Sequence, residues 1–171
     1  MTTSEAHKLT PATAVPSTTS ASDEKLGELL HSFRLMQLQH GRVIIHKSEE
    51  LAMGATDIRA LFFIAEAGEH GATPKQVAEF LELSTGATTS LVDRMVEAGT
   101  LFREAHPTDR RSVILQVTPG GHAAVATVAD VYRCALARVI PEASFDAMSQ
   151  LFRDLAAALT AGSGSSEPSE S

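Results

Sequence analysis

Residues 73–99 read TPKQVAEFLELSTGATTSLVDRMVEAG, and two helix starts stand within this short stretch. Thr73 is an N-cap, Pro74 suits the first helical position, and Gln76 occupies the place where a capping box needs a side-chain amide or acid. The spacing therefore predicts a short helix with Val77, Phe80 and Leu81 turned inward. Ser84 caps a second helix whose apolar face is Leu91, Val92, Met95 and Val96, and Gly99 stops it. Two short helices joined by a turn of about three residues make a helix-turn-helix, and the second helix of that motif can lie in a DNA major groove.

Downstream, Leu101 to Ala105 reads as a strand, and Val113, Leu115 and Val117 alternate with Ile114, Gln116 and Thr118 in a partner strand. Between them, HPTDRRS is too polar to be buried, so the pair forms a β-hairpin with a charged tip, a wing. Thr118-Pro119 caps a helix to about Ile140, Pro141 stops it, and Phe145, Met148, Leu151, Phe152, Leu155 and Leu159 mark a final amphipathic helix. Upstream, Ser22 before Asp23 and Glu24 is an N-cap with first-turn acids, followed by Leu26, Leu29, Leu30 and Phe33 at helical spacing. With only Gly41 to weaken it, this run extends from Asp23 to Met53, about 45 Å at 1.5 Å per residue. That is more helix than one small domain covers, so part of it is expected to pack on a second subunit. Thr56 and Asp57 open another helix with Ile58, Leu61, Phe62 and Ala65 on one face, ended by the stretch Gly68 to Gly71.

The expected organisation is mainly α: a winged helix-turn-helix with a two-stranded β wing and long terminal dimerisation helices. Residues 1–21 and 162–171, rich in Ser, Thr, Ala, Pro and Gly without apolar period, read as tails. Residues 22–161 form the folded part, with 22–55 and 119–161 as dimerisation helices and 56–118 as the DNA-binding lobe.

The 171 residues are 43% hydrophobic, enough for a core, and carry 14 Lys and Arg against 21 Asp and Glu, a net charge of −7. Any nucleic-acid contact must therefore be local. Residues 56–118 hold six basic and nine acidic residues, so this lobe too is acidic. One cysteine excludes a disulfide framework and Cys-rich metal sites and suits a reducing cytoplasm. No apolar run approaches membrane-span length, and no apolar signal core opens the chain, so neither membrane association nor export is expected.

Two stretches carry a family resemblance. LSTGATTSLVDRMVEAGTLFRE (Leu83–Glu104) is similar to the recognition helix and first wing strand of the MarR (multiple antibiotic resistance regulator) family, and DRRSVILQVTPGG (Asp109–Gly121) to its second wing strand and following cap. The resemblance implies a homodimer, paired through its terminal helices, that binds pseudo-palindromic duplex DNA as a repressor. Many members carry Asp-x-Arg-Asp-x-Arg at the wing tip. Here the stretch is His106-Pro107-Thr108-Asp109-Arg110-Arg111, which keeps only the second half, so the resemblance puts wing shaping on Asp109 and minor-groove contact on Arg111, helped by Arg110. It also implies a small anionic aromatic effector in a crevice drawing on Arg34, His40 and Phe62, with Arg42, His46 and Phe63 nearby.

For the DNA contact, Ser84, Thr85, Gly86, Ala87, Thr88, Thr89 and Ser90 give small polar groups at a helix N-terminus. Amides and dipole there suit a phosphate, and Thr methyl groups suit thymine. An isolated Ser/Thr run would merely cap and solvate a helix; lying between a capped helix and an Arg-tipped hairpin, this one reads as a DNA face. It contains no Arg, Lys, Asn or Gln, so discrimination leans on DNA shape and on the wing. Thr73 and Lys75 are candidates for phosphate, and Arg94 is expected to pair with an acid rather than with DNA.

Other chemistries find less support. Cys134 reads as a small packing residue. His31, His40, His46, His70, His106 and His122 form no i,i+4 pair, and no cofactor or metal is expected. Neither a phosphate loop, a His-Glu-x-x-His nor a nucleophile elbow occurs, which argues against an enzyme. The alternative function is a winged helix used only for protein contact, which the negative charge favours.

Overall fold

The computed structural model describes residues 20–106 and 112–163. In chain order the elements are α1 (Ala21–Glu50), α2 (Ala55–Glu66), α3 (Pro74–Leu81), α4 (Thr85–Glu97), β1 (Leu101–Ala105), β2 (Val113–Val117), α5 (Pro119–Val139) and α6 (Phe145–Ser163), with short 3-10 turns at Gly68–His70 and Glu142–Ser144. The chain divides into two compact units between Gly41 and Arg42.

In the first unit, α1 starts slightly earlier than Ser22 predicts. Ser20 does the capping: its hydroxyl oxygen accepts from the Ser22 amide (3.3 Å), and the Asp23 carboxylate accepts from the Ser20 amide (3.2 Å). The reciprocal bond needs an acid three residues on, and only Ser20 has Asp23 at that distance. Leu26, Leu29, Leu30, Leu35, Met36 and Leu38 on this stretch are exposed in the single chain.

In the second unit, the C-terminal end of α1 closes on Ala52, which takes a left-handed φ of 50°, while the Met53 amide donates to the Ser48 carbonyl. Helix α2 then begins on Gly54 as N-cap, two residues before the predicted opening at Thr56, with Asp57 accepting from the Gly54 amide (3.1 Å). The core gathers Ala60, Leu61 and Ile64 of α2, Val77 and Leu81 of α3, Leu91, Val92 and Met95 of α4, Leu101 of β1, Leu115 and Val117 of β2, and Ala124 of α5. Phe80, expected inward, is instead 47% exposed and stacks on Phe63 with ring centroids 4.3 Å apart. An eight-residue helix turns about two apolar positions fully into a core, here Val77 and Leu81, and the third lies at its flank.

β1 and β2 pair antiparallel, with Leu101 opposite Val117 and Arg103 opposite Leu115. The predicted alternation on β2 needs one correction: Val113 is exposed and Ile114 is buried. Ala72 bridges Leu115 through two backbone hydrogen bonds (3.1 and 2.8 Å), and the Gln116 side-chain Nε2 donates to the Glu69 carbonyl, so the chain before α3 covers Ile114. Val113 lies beyond this cover. Thr118 caps α5 as predicted by accepting from the Gly121 amide (3.0 Å), and Gly121, Ala124 and Val128 seat that helix in the core. α6 continues to Ser163, two residues past the predicted limit, and Leu151, Phe152, Leu155 and Leu159 on it are exposed. The rest of both expected tails lies outside the described residues. Among the described residues no helix is long and apolar enough to cross a membrane.

Gly71 makes the cover on β2 possible. Its φ is +58°, and a Cβ there would collide with Ile114 and stand 2.5 Å from the Leu115 carbonyl. Gly71→Ala is expected to lower stability by about 2–3 kcal/mol, from a disfavoured backbone conformation plus overpacking, measured by urea denaturation. A change within about 0.5 kcal/mol would show that the segment relaxes freely.

Candidate nucleic-acid interface

The helix-turn-helix is built as its caps dictate. The Thr73 hydroxyl oxygen accepts from the Gln76 amide (3.3 Å), and the Gln76 side-chain oxygen accepts from the Thr73 amide (2.8 Å) and hydroxyl (2.9 Å). Both donors of Thr73 are thereby engaged within its own cap. Lys75, two residues after Thr73, stays largely in solvent beside Glu79 at 3.8 Å and keeps its donors available. A surface pair at that distance holds a lysine weakly.

Helix α4 starts on Ser84, which accepts from the Ala87 amide at 3.3 Å. Ser84, Thr85, Gly86, Ala87, Thr89 and Ser90 are all exposed, a small polar surface over the first turns of a 13-residue helix. The Thr85 and Gly86 amides belong to the first turn, where no intrahelical acceptor exists. Thr88 is the exception. It is 2% exposed, and its hydroxyl donates to the Ser84 carbonyl at 3.0 Å, so it belongs to the core side of α4 and not to a DNA face. The periodicity explains this: Thr88 stands three residues before Leu91 and four before Val92, both buried. Thr89 makes the same kind of back-bond, to the Thr85 carbonyl (3.0 Å), but on the open side, where its methyl and lone pairs remain accessible.

Two ion pairs fix α4. Arg94 donates from Nε to Asp57 Oδ2 (3.1 Å) and from Nη2 to Asp57 Oδ1, a bidentate bond between α4 and the first turn of α2. Asp57 is 4% exposed, while the Arg94 side chain is more than half exposed. The hydrogen bond to Asp57 and its charge push the Arg94 pKa above its ordinary value against a small opposing desolvation. The expectation that Arg94 pairs with an acid thus has its partner. On the other side of α4, Arg103 of β1 donates to Asp93 at 2.5 Å, a pairing that no local sequence pattern announces.

Asp109, Arg110 and Arg111 lie outside the described residues. Of the residues tied to an effector, Arg34 and His40 are exposed on α1 within the first unit, and Phe62 is half-buried on α2 within the second. Cys134, expected to pack, is exposed, because α5 leaves the core after Val128. Among the described residues no group of three or more His, Cys, Asp or Glu gathers at metal-binding distance.

A family profile matches residues 53–112, which run from just before α2 to just before β2. The match is to the MarR family. Seventy-five residues are 37% identical to the uncharacterized HTH-type transcriptional regulator YcgE of Bacillus subtilis, over 43% of this chain and 47% of that relative. The chain thus spans about half the length of this curated relative. The RV1404 structure from Mycobacterium tuberculosis is 28% identical with a TM-score of 0.59, over 89% of this chain and 99% of that one. The S. aureus MepR–DNA complex shares the fold at 14% identity, with a TM-score of 0.53 over 77% of this chain and 98% of that one. Mainly helical architecture with a two-stranded antiparallel sheet agrees with these winged-helix structures.

Removing either partner of the Asp57–Arg94 pair has unequal costs. Arg94→Ala leaves a buried carboxylate short of donors and is expected to cost about 2–3 kcal/mol. Asp57→Ala removes the cap on Gly54 and leaves only an exposed guanidinium, about 1–2 kcal/mol. In urea denaturation the double variant should cost less than the sum of the two single variants, by about 1 kcal/mol or more; strict additivity would mean that the pair does not couple the helices.

Proposed function

We propose that this protein is a transcription regulator that binds duplex DNA as a homodimer, with α4 of each protomer in a major groove and each wing in a flanking minor groove. The observation that carries the reading is the exposed small polar surface Ser84, Thr85, Gly86, Ala87, Thr89 and Ser90 on the first turns of α4, beside a two-stranded wing in a MarR-family segment. Bulky side chains there would keep the helix from base edges and phosphates; these do not. MepR, which shares the fold, is held on DNA in a solved complex, and YcgE is described as an uncharacterized HTH-type transcriptional regulator, which supports regulation over catalysis.

In this reading residues 56–118 are the DNA-binding lobe, and residues 22–55 and 119–161 pair two protomers. Support for pairing comes from the exposed leucines of α1 and from Leu151, Phe152, Leu155 and Leu159 of α6, more apolar surface than a soluble monomer ordinarily shows. A two-fold dimer then reads a pseudo-palindrome, as a repressor in the cytoplasm. Asp109 and Arg111 shape and insert the wing, helped by Arg110, and Lys75 adds a phosphate contact. A small anionic aromatic effector acts by preferring the dimer free of DNA.

Fluorescence anisotropy on duplexes selected by the protein from a random pool tests the reading. Thr89→Ala should change the preferred bases with an affinity loss of about tenfold or less, whereas the buried Thr88→Ala should lower stability and leave the preference unchanged. Arg111→Ala should weaken all sequences and lower the salt slope by about one for each phosphate that is no longer neutralised. Salicylate added to the complex should lower the anisotropy. No binding at low salt would favour the protein-contact alternative.

The pairing has its own measurement. Sedimentation equilibrium at micromolar concentration should give twice the 18.1 kDa chain mass; a single species of that mass would overturn the dimer.

A further inference from the structure

Asp93 and Arg103 pose a question that the DNA-facing surface does not answer by itself. Asp93 lies on the same exposed stripe of α4 as Gly86 and Ser90, and its side chain is 57% exposed. It stands eight residues after Thr85, about 12 Å along the helix axis. A major groove is only about 8.5 Å deep. A helix that contacts base edges with its first turns, tilted from the groove floor, carries Asp93 away from the bases toward the bordering phosphate strand. A bare carboxylate there would repel DNA.

The structure does not leave it bare. Arg103, from the middle of β1, reaches Asp93 Oδ1 with Nη2 at 2.5 Å. The strand register explains the reach: Leu101 and Arg103 share the face of β1 that turns toward α4, Leu101 into the core and Arg103 beyond it. A guanidinium has five N–H donors in a rigid fork, and this bond uses one terminal nitrogen. Its side chain is 38% exposed, so the remaining donors can meet a second acceptor from solvent. The other basic residues described in residues 56–118 are placed differently: Arg94 is bound to Asp57, Lys75 is on α3, and Arg59 is on α2.

We infer that Arg103, oriented by Asp93, is a DNA-backbone contact in which the guanidinium bridges the recognition-helix carboxylate to a phosphate at the groove edge. The inference rests on the DNA-binding reading above and adds a cation at a place where the recognition helix has none. Asp93 is then a positioning residue: its charge is unfavourable to DNA by itself and useful because it fixes the fork that meets the phosphate. Its neighbours in charge are Glu97 and Arg94 on α4 and Glu104 on β1.

The two roles have opposite signatures. Simple charge removal predicts that Asp93→Ala binds DNA more tightly, because an acid beside a polyanion is gone. Positioning predicts weaker binding. The experiment measures anisotropy of the full chain on a duplex selected from a random pool and on an unselected random duplex, between about 50 and 300 mM salt, with circular dichroism melting as a folding check. Arg103→Ala should weaken both duplexes by about tenfold and lower the salt slope by about one per protomer. Asp93→Ala should weaken both about three- to tenfold without altering the preferred bases, and Arg103→Lys should recover part of the slope but not the full affinity. Should Arg103→Ala fail to fold, Arg103→Lys and Asp93→Asn carry the same test. Tighter or unchanged binding by Asp93→Ala, or an Arg103→Ala slope equal to the wild type, overturns the inference alone. A changed base preference in Asp93→Ala also overturns it, by making Asp93 a base reader. A wild-type chain that binds neither duplex overturns this inference together with the DNA-binding reading.

Discussion

The carboxylate of Asp57 is the point on which the packing of α4 against α2 turns. It lies in the first turn of α2 and satisfies the amide that opens that helix, and the helix then packs over it until it is almost out of solvent. An unpaired buried carboxylate costs several kcal/mol, so this position is tolerable only while a cation meets it. Arg94 does so with a two-pronged bond from α4. Because the fork accepts a carboxylate in few geometries, the bond specifies where α4 stands against α2, and therefore which of its residues look outward. The net stability of such a pair is modest, since the desolvation of Asp57 offsets much of the attraction; what the pair contributes is a position.

The same logic reconciles an acidic chain with the DNA face proposed for α4. A net charge of −7 predicts repulsion from a duplex at long range, and the lobe shares that sign. Near α4, however, two of the acids are paired by arginines. Asp57 is bound by Arg94 and Asp93 by Arg103, while the first turns of the helix carry hydroxyls, methyl groups and amide N–H groups instead of charge. Screening at physiological salt confines the remaining negative field to roughly a Debye length, about 8 Å, so local neutrality at the contact matters more than the sum over the chain. A surface of this kind suits docking by shape and short contacts, with weak attraction to DNA in general.

The helical segments of the lobe were legible in the sequence because each is set by interactions only three or four residues long. Thr73 with Gln76, Ser84 before Ala87, and Thr118 before Gly121 are caps whose two ends lie in one short stretch, and the structure has all three bonds. The apolar spacing of Leu91, Val92 and Met95 likewise gave the inward face of α4 directly. The wing strands could be read from their alternating residues and polar connection. The start of α1 was misplaced by a local rival of the same kind, Ser20 outcompeting Ser22 because Asp23 can answer it.

Tertiary structure decided what depends on a partner far along the chain. Thr88 has the composition of its exposed neighbours, and only the packing of α4 on the core shows that it is buried while Thr89 is open. Ile114 rather than Val113 is covered because Gly71 and Ala72 return to β2 from more than forty residues away. Arg94 and Arg103 are equally arginines to the sequence; one spans 37 residues to a buried acid and the other ten to an exposed one. Short-range hydrogen bonding and apolar period therefore determined which segments are helices and strands and in what order, since those depend on neighbours within a turn. Which side of each segment faces core or solvent, and which charges are neutralised at the contact surface, was decided by contacts between elements, because burial and pairing are properties of the space around a side chain.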